Sequence, residues 1–337
     1  MRGRDKSHNA ILSICHVGSK PRGYRLGFPS QVLEELDNEL DLGSHWIWHL
    51  GKLLEDIDCD FLLIETPRQL RGLTQWLVAA KKETFYIPFY VHASLDASDF
   101  PDLLKNNQNL KNDIRRVEKA GYSIELSNGP EQFRTFLDDY CRPYAKATRG
   151  ALAASFDYSF LCQEDFIDRD QWLLLKLVHG SEWVAGMIVK TDECTAYEYE
   201  VGLKDGDTMH LKNGALAALR WLYSQQMLLM GYQKISFMWS PPFLENGVLS
   251  SKRKYHPKLE AAPSSGLGIL LVHMGGRSLS REVLLQLSMI QQEGSHLKAT
   301  RCVEKPADLA GAREDLVMAC HHYRGVSEFE VTLIGNS

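Results

Sequence analysis

The chain has no C-x-x-C pair, no apolar run long enough to cross a bilayer, no internal repeat and no excess of positive charge. Each absence removes a class of function. Its seven cysteines (Cys15, Cys59, Cys141, Cys162, Cys194, Cys302 and Cys320) are scattered. That spacing excludes a zinc ribbon and a dithiol redox motif, and it reads as small hydrophobes in a reducing compartment. The apolar stretches are broken by Arg, Gln, Lys or Glu well short of the ~20 residues a membrane span needs. The basic segment MRGRDKSHNA is followed by no apolar h-region, so no signal peptide is expected and a cytoplasmic location is. A formal charge of -5 gives no global reason to bind nucleic acid. His321 and His322 are adjacent, whereas metal ligands on a helix need i, i+3 or i+4 spacing, so no metal site is expected.

What is present fits a soluble α/β protein. At 337 residues the chain is long for one core and comfortable for two. AILSICHV and CDFLLIET read as strands, and LEELDNEL and HWIWHLGKLLEDI carry helical spacing. RQLRGLTQWLVAAKK reads as an amphipathic helix with a basic C-terminal end, and FYIPFYVHASLD as a strand whose Pro88 places it at an edge or bulge. Asp99–Asn109, polar and carrying Pro101, is the expected linker. The expected division is a first α/β lobe over 1–109, a second lobe over 110–275, and a helical extension with a final strand over 276–337. In that extension SREVLLQLSMIQQEG and AREDLVMACHHYRG read as helices and SEFEVTLIG as a strand.

The segment from Trp183 to Pro257 is the most informative. WVAGMIVK and TAYEYEVGL read as strands, KDGDTMHLKNG as a turn, ALAALRWLYSQQMLLMGY as a helix, QKISFMW as a strand, and SPPFLENGVLSSKRKYHP as a basic loop. A turn that opens a helix presents unpaired N–H groups and a positive dipole end, which suits a phosphate. Asn213 is the expected N-cap, with Lys212 and Gly214 beside it. On a strand, Glu198 and Glu200 are two apart and share a face, with Tyr197 and Tyr199 on the other. Such carboxylates serve as a base for an attacking amine or simply as a solvent-facing acidic face. Lys252, Arg253 and Lys254 form a cationic run that grips a phosphate or stays solvated.

LKNDIRRVEKAGYSIEL, YCRPYAKATRG, LLLKLVHGSEWVAGMIV, EYEVGLKDGD and NGALAALRWLYSQQMLLMGYQKISF, in this order, resemble the GNAT acyltransferase fold. GVLSSKRKYHP resembles the closing signature of its Fem-like branch, known from bacterial peptidoglycan and polysaccharide contexts. The resemblance covers roughly 110–258, with a weaker echo in CDFLLIET and YIPFYVHASLD. It implies a mixed sheet flanked by helices and a first lobe that is a diverged copy of the same fold. It also implies transfer of an acyl group from a thioester or ester donor to the amine of a small molecule or peptide.

By the same resemblance, Glu200, Glu198 and Tyr144 are the expected catalytic residues. Lys212, Asn213, Gly214, Lys252, Arg253 and Lys254 are expected at the donor, and Arg115, Arg149, Trp239 and His256 at the acceptor. The donor loop departs from the family's Q/R-x-x-G-x-G/A. Ala215 stands where the first glycine is expected, and Gly214 is one place early. The departure leaves acyl-CoA, an acyl carrier protein and an aminoacyl-tRNA open as donors, and leaves open a non-catalytic binding protein on a degenerate transferase fold.

Overall fold

Strands β4 (Phe61–Pro67) and β13 (Leu267–His273) carry the uninterrupted apolar runs Phe61–Ile64 and Ile269–Val272 because both faces of their sheet are covered there. Phe61, Leu63, Ile269 and Leu271 enter one core together with Leu12, Ile14, Phe28, Val283 and Leu284. The intervening Leu62, Ile64, Leu270 and Val272 enter a second core with Cys15 and Cys59. This period-two division of one apolar run between two cores is the arithmetic of a strand. The computed structural model describes residues 1–6, 11–18, 27–38, 58–78, 83–105, 107–149, 158–261, 267–275, 278–294 and 296–334. The expected helix in HWIWHLGKLLEDI lies outside them.

The chain forms two units. Unit 1 comprises Met1–His92, Trp239–Arg253 and Lys258–Ser337. Its larger sheet also holds β1 (Arg2–Asp5), β2 (Ile11–Val17), β3 (Leu33–Asn38) and β5 (Thr84–Pro88), in the order β3-β1-β2-β4-β13-β5. LEELDNEL therefore supplies a strand where its spacing predicts a helix, because β1 offers a pairing edge. Helices α1 (Gly27–Val32) and α2 (Arg71–Val78) belong to this unit. Pro88 ends β5 at the sheet edge, where its missing N–H costs no ladder bond. A smaller sheet in the order β14-β15-β16, together with the short strand β12 (Lys258–Ala261), completes unit 1. Its strands are β14 (Ser288–Glu293), β15 (His296–Val303) and β16 (Val326–Leu333). The expected helix SREVLLQLSMIQQEG covers only its first part, Ser278–Gln286, and the rest is β14, paired along its length with β15.

Unit 2 comprises Ala93–Met238 and Lys254–Pro257. Strands β7 (Tyr122–Ser127), β8 (Trp172–His179), β9 (Glu182–Thr191) and β10 (Thr195–Leu203) form an antiparallel meander. Helices α3 (Gln108–Ala120), α4 (Pro130–Phe136) and α5 (Arg142–Arg149) lie among these strands in sequence. After β10 come α6 (Thr208–Lys212) and α7 (Ala215–Leu229). The chain then returns as β11 (Lys234–Ser240), parallel to β10, with β6 (Val91–Asp96) beyond it. The α/β class with mixed sheets flanked by helices is the one the sequence predicts.

The division differs from the expected boundaries at 109 and 275. β6 already belongs to the sheet of unit 2, so the change comes after His92. β13, which follows unit 2 in the chain, is inserted between β4 and β5 and binds the C-terminal segment into unit 1.

Candidate functional site

In the sheet of unit 2 the parallel junction of β10 with β11 is also where pairing stops short. β10 and β11 pair at Thr195 with Lys234, Ala196 with Ile235 and Tyr197 with Ser236. Beyond this, β10 continues to Leu203 and β11 through Phe237 and Met238. Met238 has φ 55°, a conformation that non-glycine residues enter at a cost, and its N–H bonds the Ser236 hydroxyl at 3.1 Å.

On its other edge β10 carries a bulge. Glu198 faces Val189, but Glu200 faces Ile188, so Tyr199 is the extra residue. The bulge overturns the simple alternation expected for this strand. Glu198 and Glu200 oppose neighbouring residues of β9 and therefore point to opposite faces.

The Glu198 face meets α7. Arg220 donates from Nε to Glu198 Oε2 at 2.9 Å and from Nη2 to Oε1 at 2.5 Å, a bidentate pair with little exposure on either side. Burial opposes the guanidinium's charge, but the Glu198 charge and these hydrogen bonds outweigh it and raise the Arg220 pKa. The guanidinium also lies 5.9 Å from the Phe237 ring centre and interacts electrostatically with Tyr255 and Tyr144. Tyr255 is buried against Phe237, with ring centres 5.0 Å apart, and burial raises its phenol pKa. Below this layer the Tyr223 hydroxyl donates to Ala196 O at 2.8 Å.

The opposite face meets α4, α5 and the turn between them. Tyr199 packs with Tyr158 and Trp172. Pro143 has no N–H to give to a helical ladder, and the turn before it, Leu137–Cys141, takes the wider π form. That turn sits hard on β10: a Cβ on Gly202 would meet Cys141 N and Tyr140 C at 2.7 Å. Gly206, with φ 68°, lies as close to the Pro143 carbonyl. Two glycines thus seat the helix that carries Tyr144 against the strand that carries Glu200.

The donor segment differs from the open turn expected. KDGDTMHLKNG folds into a 3-10 turn, Lys204–Gly206, and the short α6, whose N-terminus is capped by the Asp207 carboxylate on Met209 N at 2.7 Å. Asn213 is the C-cap of α6, not an N-cap. Gly214, with φ 85°, is the N-cap of α7, because only a left-handed residue turns the chain so sharply between two helices. It supplies no side-chain cap, a Cβ there would meet nothing within 4 Å, and Lys212 is exposed beside it.

The basic run is also divided. Lys252 ends α8 (Gly247–Lys252) in unit 1 and is only 2% exposed, donating from Nζ to Ser240 Oγ at 2.8 Å and to Trp239 O at 3.0 Å. Its ammonium is thus engaged within unit 1, in place of the open cationic run expected. Trp239, also in unit 1, packs at a tilt against the rings of Tyr90 and His92. Arg253 is exposed. Lys254 is ion-paired with Asp113, and its carbonyl accepts from Asn107 Nδ2 at 2.5 Å. His256 is half-buried, with φ 45°. Arg115 is exposed on α3 and donates to Asn112, and Arg149 is the last residue of α5.

The structure thus pairs Glu198 with a guanidinium that the motif reading passed over, that of Arg220, whose charge reaches Tyr144 through space. The signal was present: Arg220 is the one charge in ALAALRWLYSQQMLL, and a charge inside an apolar helix needs a partner.

No family model matches the chain, and no curated protein matches it. Among solved structures it is similar to a conserved protein of unknown function from Bacteroides thetaiotaomicron, at 16% identity and TM-score 0.39, over 66% of this chain and 73% of that one. It is similar also to the C-terminal domain of a putative lysylphosphatidylglycerol synthetase from Agrobacterium fabrum, at 15% identity and TM-score 0.39, over 70% and 75%. A third is FemX, at 10% identity and TM-score 0.37, over 84% and 85%.

Proposed function

We propose that unit 2 is an N-acyltransferase that moves an acyl group from a thioester donor, an acyl-CoA or an acyl carrier protein, to a primary amine. The observation that carries this reading is the early end of the β10–β11 pairing beside the bulge at Tyr199. An extended acyl-bearing arm fits such an interruption as an added strand does, through main-chain hydrogen bonds. The open space at Gly214 and the uncapped N-terminus of the fifteen-residue α7 support a phosphate end for that arm, with Lys212 at hand.

In the reaction the amine lone pair attacks the thioester carbonyl carbon, the C–N bond forms and the C–S bond breaks. The amine proton passes to Glu200, and the departing sulfur takes a proton from the Tyr144 hydroxyl. Glu198 already holds Arg220, so it acts as a positioning residue that keeps a fixed positive charge near Tyr144. An aminoacyl-tRNA donor would call for several phosphate contacts. Of the three cations at 252–254, Lys252 is buried and Lys254 is paired with Asp113, which favours the thioester.

The test is amine-dependent release of free thiol from acyl-CoAs and acyl carrier proteins, with the product identified by mass. Glu200→Gln should lower kcat about 100-fold, the scale of losing a general base. Consumption of aminoacyl-tRNA with no turnover of any thioester would overturn the donor assignment. Binding of donors with no turnover at all would make unit 2 a binding module.

A further inference from the structure

Among its described side chains, helix α2 of unit 1 turns apolar groups outward. It buries a hydroxyl: Thr74 is 2% exposed, shares a hydrogen bond of 2.8 Å with the Thr66 hydroxyl and donates to Leu70 O at 3.0 Å. Outward it turns Leu73, 44% exposed, and Trp76, 76% exposed, while Leu70 in the preceding 3-10 turn is also 44% exposed. Residues three apart are neighbours on a helix surface, so these side chains form one apolar stripe. The space beside Gly72 is open, since a Cβ there would meet nothing within 4 Å.

The helix is also tied down. Arg71 donates from Nη1 to Gln292 O at 3.3 Å, and its guanidinium lies 5.2 Å from the Tyr86 ring centre. The stripe therefore stands on a fixed support. From Pro67 to Val78 the sequence PRQLRGLTQWLV holds two arginines and no acidic residue, in a chain whose formal charge is -5.

We propose that this face docks onto an anionic lipid surface, with Trp76, Leu73 and Leu70 entering the headgroup boundary and Arg68 meeting the lipid phosphates. Trp and Leu on one side and arginine beside them is the composition of a helix that lies in the interface plane. The local positive charge selects an anionic surface over a zwitterionic one. Interfacial seating requires only one exposed face, so it is compatible with the absence, among the described residues, of any helix long and apolar enough to cross a membrane. The site lies wholly in unit 1 and does not depend on the reaction proposed for unit 2.

The test is co-sedimentation of the full chain with phosphatidylglycerol-containing vesicles and with pure phosphatidylcholine vesicles. Binding to the anionic vesicles should weaken with salt, and Leu73→Ser/Trp76→Ser should reduce it at least about ten-fold, because both side chains lose apolar area to bury. Arg68→Gln should reduce it about five-fold, the ~1 kcal/mol of one basic residue near the surface. Both substitutions are at exposed positions, and an unchanged melting temperature would show that the fold persists. Equal binding to the two vesicle types, or wild-type binding in the double serine variant, would overturn the proposal. So would a failure to sediment with either vesicle type, as would a dimer in sedimentation equilibrium that the double variant abolishes, since the stripe would then seat a second copy.

Discussion

The larger sheet of each unit contains a parallel strand junction beside antiparallel neighbours, and these two junctions are finished differently. In unit 1, β2 pairs with β4 from Ile14–Phe61 to Val17–Ile64, which is the end of β2. The other edge of β4 is paired with β13 over its whole length, from Leu267–Pro67 to His273–Phe61. β4 thus runs three residues, Glu65–Pro67, past its last β2 pair, but its β13 ladder is continuous and carries no bulge. In unit 2, β10 loses β11 after Tyr197 and is bulged on its β9 side at Tyr199.

The polar groups follow the same contrast. Unit 1 places a buried His16–Glu65 pair at 3.3 Å on a strand backed by a continuous β13 ladder. Unit 2 places the buried Glu198–Arg220 pair beside an interrupted one. A buried ion pair alone therefore does not mark a reaction site. An ion pair on a strand that is bulged on one edge and released on the other is the stronger sign, because it holds a fixed charge where a ligand's backbone can enter.

The largest expected effect sharpens this contrast. Arg220→Met would leave the Glu198 carboxylate buried without its partner, and should cost about 3–5 kcal/mol in urea unfolding. Arg220→Met/Glu198→Leu should recover most of that stability yet leave transfer impaired. Full activity in the double variant would break the assignment of Arg220 to the site. Next, Lys252→Ala should cost about 2–5 kcal/mol, the scale of truncating a long buried side chain, with the donor KM unchanged. A raised KM with unchanged stability would restore Lys252 to the donor side.

Gly202→Ala should cost about 1–3 kcal/mol, as overpacking does, because the new methyl would meet the backbone of the π turn. The matching control, Gly214→Ala, meets no atoms and is strained only through its φ of 85°, so its cost should be near 1 kcal/mol. Thermal melts order the two.

The smallest effect is a pH dependence. Burial, then the charges of Asp139, Asp205 and Glu182, push the Tyr140 phenol up to about 12 from its ordinary 10. Its hydroxyl donates to Trp183 O at 2.9 Å. A raised folded-state pKa stabilises the fold below the unfolded value and loses that contribution as pH climbs through the folded one. Tyr140→Phe should therefore cost about 1 kcal/mol at neutral pH. The gap from wild type should close between pH 10 and 12, as read by urea unfolding across that window.

Much of the framework was legible along the chain. CDFLLIET, LGILLVHM and the run from WVAGMIVK to QKISFMW announce strand and helix through period and length, which are local properties. Two kinds of feature were not legible. Where one strand gains a residue over its neighbour, the faces reverse, so Glu198 and Glu200 part company although their spacing says otherwise. Where a partner is remote in sequence, propensity yields: LEELDNEL becomes a strand because β1 lies beside it, and Lys252 leaves the surface because Ser240 and the Trp239 carbonyl receive its ammonium.

By itself the amino-acid order determined the α/β class, the strand–helix–strand core of unit 2 and the lone charge at Arg220. Local periodicity and the cost of an unpaired charge act within a few turns of chain. The tertiary structure alone decided which carboxylate Arg220 meets, that β13 returns to complete unit 1, and that β10 parts from β11. Those outcomes depend on the register and termination of ladders between segments far apart in sequence, which no local pattern specifies.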